Sequence, residues 1–143
     1  MKKKIEVNKI AAGSPDLPKA FAIRHEVFVL GQGCPAELER NQEEESHHFL
    51  ALVDDEPAGA SRWRKTDNGI KLERFAVLSQ YRGQGIGQAL VTAVLNDLPA
   101  EVSYVYLHAQ LPAVGLYEKF GFEKVGPEFE EAGIRHYKMV LNR

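Results

Sequence analysis

A mixed α/β fold (an α+β mixed sheet with helices packed on it) is the class that this sequence predicts, on three observations. Short period-two or β-branched runs recur along the chain, and two of them are joined by Asn68-Gly69, a pair suited to a tight hairpin. Two longer stretches, Pro15 to about Val29 and Gly87 to Leu98, carry apolar residues at helical spacing. Between the strand-like run ending at Leu78 and the second of these helices lies Tyr81-Arg82-Gly83-Gln84-Gly85-Ile86-Gly87-Gln88-Ala89-Leu90. The element order is β-α-(α)-β-β-β-α-β-α-β-β.

Taken in order, Ile5 and Val7 alternate with charged residues and read as a half-buried first strand. Ser14-Pro15-Asp16 reads as a helix start, with a capping hydroxyl, a proline whose missing N–H is harmless there, and an acid in the first turn. Leu17, Ala20, Phe21, Val27 and Phe28 give that helix one apolar stripe. Arg24 falls inside the stripe, either snorkelling to water or facing a cleft, where it would touch substrate. Gly31 to Pro35 breaks the helix. Glu37, Glu39, Glu43, Glu44 and Glu45 then read as a solvated loop or frayed helix, though one or two could line a site for a cationic amine.

Phe49 to Val53, Ala58 to Arg64 and Ile70 to Leu78 read as an antiparallel meander, turning at Asp54-Asp55-Glu56-Pro57 and at Thr66-Asp67-Asn68-Gly69. Ser61 and Trp63 share one face of the middle strand, Arg62 and Arg64 the other. After the glycine-rich loop, Leu90, Val91, Val94, Leu95 and Leu98 form the stripe of a helix packed on a sheet, and Pro99 ends it. Val102 to Leu107 is a strand, and Ala113, Leu116, Tyr117 and Phe120 follow short-helix spacing, capped at Gly121. Phe122 to Val125 and Ile134 to Leu141 read as closing strands around a loop, Gly126 to Gly133.

Composition bounds the function. The 143 residues, 44% hydrophobic and 27% charged, form a single domain, 1–143, of soluble globular type. With 18 basic against 20 acidic residues the net charge is -2, which argues against a nucleic-acid partner. Cys34 is the single cysteine, which fits a reducing compartment and a cytoplasmic location. Met1-Lys2-Lys3-Lys4 resembles a leader start, yet Ile5 to Lys9 supplies no apolar region, and no run is long enough for a membrane partner. No Cys or His spacing marks a metal site.

In the glycine-rich loop, glycines at alternate positions let backbone N–H groups turn toward one point that side chains would otherwise crowd. The helix N-terminus and Arg82 complete an anion cradle. A Walker A loop would need Lys-Ser or Lys-Thr after the last glycine, but Gln88-Ala89 follows Gly87. A dinucleotide fingerprint fails on spacing, and on its position after a meander.

Arg82-Gly83-Gln84-Gly85-Ile86-Gly87 resembles the Gln/Arg-x-x-Gly-x-Gly/Ala motif of the GNAT superfamily of N-acetyltransferases. Leu72-Glu73-Arg74-Phe75-Ala76-Val77 looks like the strand before that motif, and Tyr117 to Phe122 like the family's Tyr-x-x-x-Gly-Phe segment. Val27-Phe28-Val29, Gln32-Gly33-Cys34-Pro35, Ala109-Gln110 and Ala132-Gly133-Ile134-x-His136 resemble the ElaA-type subgroup. The resemblance spans about Arg24 to Met139. It implies the GNAT-like acyl-CoA N-acyltransferase fold, acetyl-CoA as cofactor, and a small-molecule or peptide amine as acceptor; a homodimer stays open.

The resemblance also implies site residues. Phe75, Ala76 and Val77 would border the pantetheine arm, with His108 across the opening. Arg82, Gly83, Gln84, Gly85, Ile86, Gly87 and Gln88 would bind the pyrophosphate. Tyr117 would sit by the sulfur as general acid, although its spacing also suits a buried aromatic. A lysine-like amine has a pKa near ~10.4, so a base is needed at neutral pH. Glu73, His48, His108 and His136 are the candidates, whereas His47 reads as solvated. His108, Asn41 and Arg135 depart from residues common in similar proteins and bear on the acceptor site. The rival reading is a non-catalytic coenzyme A binding or sensor protein, and a third is an interaction module using residues 37–45.

Overall fold

In a computed structural model, the described residues, 3–143, build one sheet; Met1 and Lys2 of the leader-like start lie outside them. The first half contains β1 (Ile5–Ile10), α1 (Leu17–Arg24), a π-helical turn (His25–Leu30) and α2 (Ala36–Glu39). The meander follows as β2 (His47–Val53), β3 (Glu56–Thr66) and β4 (Gly69–Val77). The second half contains α3 (Ile86–Asp97), β5 (Tyr104–Gln110), α4 (Val114–Glu118), β6 (Glu123–Glu131) and β7 (Ile134–Asn142). This is the element order expected from the sequence. Across the sheet the strands run β1-β2-β3-β4-β5-β7-β6, all antiparallel except β4 with β5.

Burial explains the layers. Ile86, Leu90, Val91 and Val94 of α3 pack with Leu72, Leu107, Tyr117, Phe122 and Met139 on one face. Ala20 and Ile23 of α1 pack with Leu50, Ala60 and Ala76 on the other. Contacts of α1 with the sheet fall on β2, β3 and β4. On that same side, the surface of β5, β7 and β6 becomes the floor of a cleft.

Three local expectations change. The helix expected from Pro15 to Val29 starts at Leu17, because the Ser14 hydroxyl accepts the Asp16 N–H at 3.1 Å and forms a turn instead. It is α-helical only to Arg24; beyond, it widens, with the Gly31 N–H donating to Glu26 O five residues back. The loop expected over Gly126 to Gly133 is largely strand. Gly126-Pro127 interrupts pairing, which resumes at Phe129↔His136, and the turn is Ala132-Gly133 with φ of 53° and 78°.

The acidic segment departs furthest from its solvated reading. Glu39 is 1% exposed and accepts from Arg24 Nε at 2.7 Å. Arg24 Nη2 also donates to the Glu39 carbonyl at 2.8 Å and to Glu43 at 3.0 Å. Arg62, wholly buried, donates to the Asn41 carbonyl at 2.7 Å, to the Glu43 carboxylate, and to Glu73 at 2.9 Å. Arg74 adds bonds to the carbonyls of Glu39 and Leu38 at 3.1 and 3.0 Å. Two guanidiniums therefore take Glu39 and Glu43, and the α2 segment is clamped onto α1, β3 and β4, whereas Glu37, Glu44 and Glu45 are exposed as the sequence reading has them. Arg24 belongs to this clamp and does not line the cleft, which corrects its reading as a substrate contact.

Removing one member of a buried pair strands the other charge. Arg24→Met is expected to destabilise the fold by roughly 3–5 kcal/mol in urea unfolding. Adding Glu39→Leu should recover most of that loss, since an apolar pair carries no stranded charge. A single-variant loss below about 1 kcal/mol would show the pair to behave as a solvated one.

Candidate active site

The cleft exists because two neighbouring strands part. β4 pairs with β5 only through Ile70–Leu72 against Val105–Leu107. Immediately beyond, Arg74 has φ 60°, and the β3–β4 register shifts between Ala60 and Arg62, so Arg74 and Phe75 together oppose Ser61. Such a bulge bends its strand, here away from β5. The Leu78 N–H donates to Ala58 O at 2.9 Å, and backbone alternation turns the N–H and C=O of Val77 to the other side, into the opening. A cavity of about 850 Å³ fills the gap.

One end of the cavity is the glycine-rich loop, with Phe75, Ala76, Val77, Arg82, Gly83, Gly85, Ile86, Gly87 and Tyr117 lining it. Gly83 and Gly85 have φ of 77° and 86°, while a Cβ on either would meet nothing within 4 Å. Backbone conformation, rather than crowding, is what demands glycine at these two positions. Gly85 is the N-cap of α3 and provides no side chain, so the N–H groups of Ile86, Gly87 and Gln88 lack a side-chain cap. Arg82 Nε donates to the Val77 carbonyl at 3.2 Å, which holds the guanidinium at the loop. The side chains of Gln84 and Gln88 are outside the lining; Gln84 donates to Gln80 O at 3.4 Å.

Tyr117 stands at the middle, 6% exposed, with its ring edge-on to Phe75 at 5.8 Å and Phe122 at 6.0 Å. Burial pushes its hydroxyl above the ordinary value, so it holds its proton at neutral pH. Both sequence readings of Tyr117 coexist: it is a core aromatic that also borders the cavity.

The other end is the floor of β5, β7 and β6, with the β4 side chains as one wall. Glu73 lines it but is surrounded: Arg64 Nε donates at 2.7 Å, Arg62 at 2.9 Å, and Lys71 lies at 3.2 Å. Burial alone would raise the carboxyl, but the Arg64 hydrogen bond and the charges of Arg62 and Lys71 outweigh it and hold it at about 2. A group that weakly basic is unfit as the base considered from sequence. His48 is unfit on position: it is outside the cavity lining, and its Nε2 meets the Glu43 carbonyl at 3.1 Å. Burial also depresses its imidazole. His47, expected in solvent, stacks on Trp63 at 3.9 Å.

His136 and His108 do line the cavity. His136 Nδ1 lies 2.7 Å from Ile134 O. A carbonyl only accepts, so Nδ1 carries the hydrogen and Nε2 of the neutral ring keeps its lone pair. His108 Nδ1 lies 3.4 Å from Glu131. Glu131 was not singled out from sequence, because period two along β6 reaches it only if that segment is read as strand. Gln110, at the end of β5, exchanges amide hydrogen bonds of 2.9 and 3.1 Å with Gln32 beyond the π-helical turn. Asn41 lines the cavity, whereas Arg135 is outside it and pairs with Glu128. Among the described residues no cluster suited to a metal ion occurs, and no helix is long and apolar enough to cross a membrane.

Residues 15–143 match the acetyltransferase (GNAT) domain. An uncharacterized N-acetyltransferase of Bacillus subtilis, YjcF, is 40% identical over 135 residues, covering 92% of this chain and 96% of that one. The crystal structure of Escherichia coli ElaA superimposes with a TM-score of 0.80 at 26% identity, covering 99% of this chain and all of that one. An acyl-CoA N-acyltransferase from Pseudomonas aeruginosa gives a TM-score of 0.81 at 26% identity, over 98% of this chain and 99% of the other.

The Glu73 carboxyl titrates near 2 when folded and close to its ordinary 4.5 when unfolded. As pH falls, the unfolded chain binds the proton first, so stability present above pH ~4.5 drains away toward pH ~2. At ~1.4 kcal/mol per tenfold, the loss is about 3 kcal/mol. Urea unfolding at pH 6 and pH 3 should show a smaller acid loss in Glu73→Gln than in the wild type. Equal acid losses would mean that Glu73 is not held ionised by its three cations.

Proposed function

The chain belongs to the GNAT acetyltransferase family, and from that premise we propose an acetyl-CoA-dependent N-acetyltransferase that transfers acetyl directly to a primary amine in a ternary complex. The observation that carries this reading is the strand opening that runs from the Val77 backbone to the uncapped N-terminus of α3, with Tyr117 beside it. The residues fit the donor. The Val77 carbonyl, which no neighbouring strand pairs and which keeps a lone pair beside the Arg82 Nε contact, suits an amide N–H of a pantetheine arm, as an added strand would. The α3 N–H groups from Ile86 to Gln88, with Arg82, suit a pyrophosphate. Bound acetyl-CoA supplies an activated acyl group on a thiol leaving group.

The chain's residues then have separable tasks. The Val77 N–H would stabilise the negative charge that develops on the acyl oxygen. His136 Nε2 would take the proton of the incoming ammonium, with its ring held by the Ile134 carbonyl. Tyr117 would donate to the departing sulfur. Its raised pKa lies above that of a thiol, near ~8.5, so Tyr117 would steady the departing thiolate by donating a hydrogen bond, and the sulfur would take the second proton that the acylated nitrogen sheds. His108 borders the arm's far side. We infer a cytoplasmic enzyme, in keeping with the single Cys34.

Thermal shift and turnover test this together. Acetyl-CoA at a hundred times its Kd should add about 2.7 kcal/mol of stability. Gly85→Leu, strained at φ 86°, should abolish that gain. Tyr117→Phe should keep donor affinity while losing on the order of a hundredfold in kcat. Unaltered turnover removes Tyr117 as the acid, and donor binding without turnover on any amine points instead to a coenzyme A sensor.

A further inference from the structure

The floor of the cleft holds one carboxylate that the protein does not neutralise with a strong cation. Ala132 and Gly133, both at positive φ, close β6 onto β7 in a two-residue turn and pair Glu131 with Ile134. Pairing also sets Phe129 opposite His136, and His136 opposite Gln110. Period two then puts Glu131, Phe129, His136 and His108 on one face, the floor. Glu131 Oε1 is 3.4 Å from His108 Nδ1, and Oε2 is 3.9 Å from His136 Nε2. The Phe129 ring braces both imidazoles, edge-on to His108 at 5.1 Å and stacked on His136 at 5.8 Å.

Contrast with the other cavity carboxylates is sharp. The side chains of Glu39 and Glu73 are 1% and 5% exposed and are held by arginines or lysine, whereas that of Glu131 is 46% exposed. Among the described residues, no lysine or arginine pairs with Glu131, and its neighbours of basic type are the two imidazoles. Nearby cations are committed elsewhere: Lys71 to Glu73, Arg74 to the Leu38 and Glu39 carbonyls, Lys138 over the Tyr104 and Tyr106 rings. The His108 contact holds the Glu131 carboxyl below its usual range, so it is ionised at neutral pH.

We propose that Glu131 is the specificity-determining anchor of the acceptor, docking it as an alkylammonium and selecting linear aliphatic amines of net positive charge over amines that also carry a carboxylate. This rests on the acetyltransferase reading of the same cleft. An ammonium has three donors, enough to bridge the Glu131 oxygens while facing His136 Nε2. Imidazole and phenyl faces flank it and suit a methylene stem or a cation over a ring. An amine carrying a carboxylate brings a like charge to Glu131 and is disfavoured.

The test compares n-butylamine, putrescine and γ-aminobutyrate, with acetyl-CoA saturating, on wild type and Glu131→Gln. Wild type should favour both cationic amines in kcat/KM over γ-aminobutyrate. Glu131→Gln should raise KM for the cationic pair roughly tenfold or more, a lost charge-assisted contact. KM for acetyl-CoA should stay unchanged and kcat should stay within about threefold, an effect confined to the acceptor KM that a merely structural role would not produce. Equal preference across the three amines in wild type overturns the inference, as does a variant with unaltered KM or with a loss confined to kcat. Turnover of no amine at all, despite acetyl-CoA binding, overturns the transferase reading and the inference with it.

Discussion

Everything distinctive about this structure depends on three residue pairs, Ile70–Leu72 with Val105–Leu107, being the whole extent of β4–β5 pairing. A continuous sheet would satisfy its own backbone and leave no room. Because the bulge at Arg74 turns β4 aside, backbone groups at Val77 face a cavity instead of a neighbouring strand. Exposed strand groups seek partners, so the gap is suited to an extended ligand bearing amides. The chain leaves that gap through the glycine-rich loop and enters α3 without a side-chain cap. Strand edge and helix terminus therefore form one track, polar along its length and apolar at Phe75 and Tyr117.

Holding such a track open needs rigid walls, and the ion-pair clamp supplies one. Arg24, Arg62 and Arg74 come from α1, β3 and β4, and they meet on Glu39, Glu43 and the carbonyls of Leu38, Glu39 and Asn41. A segment with little regular structure is thereby given a fixed place beside the cleft. Buried pairs of this kind contribute little net stability against apolar replacements, but they are sensitive to the loss of one member. The same clamp silences Glu73, whose carboxyl is saturated by Arg62, Arg64 and Lys71. Charge left available to a ligand lies across the floor, at Glu131.

How much of this could be read from the sequence depended on whether a signal was local. Alternation in the meander, the Asn68-Gly69 turn, the α3 stripe and the glycine-rich loop are each encoded within a dozen residues, and each stands where its pattern puts it. Tyr117 likewise borders the cavity through a short helix. The clamp was hidden because its partners are 15 to 36 residues apart, so Glu39 and Glu43 read as solvated and Arg24 as a cleft residue. Glu131 was masked by Gly126-Pro127, which made a strand look like a loop. His48 carried a plausible residue type, but its ring is directed to the Glu43 carbonyl.

The central claim is that the gap between β4 and β5 is the acyl-donor track. Amide chemical-shift mapping of the isotope-labelled protein during titration with acetyl-CoA tests it most directly. The perturbed amides should be those of Phe75 to Val77, Arg82 to Gln88 and His108, with β1 and β2 unmoved. Perturbations clustered elsewhere, or none at saturating donor, would contradict it.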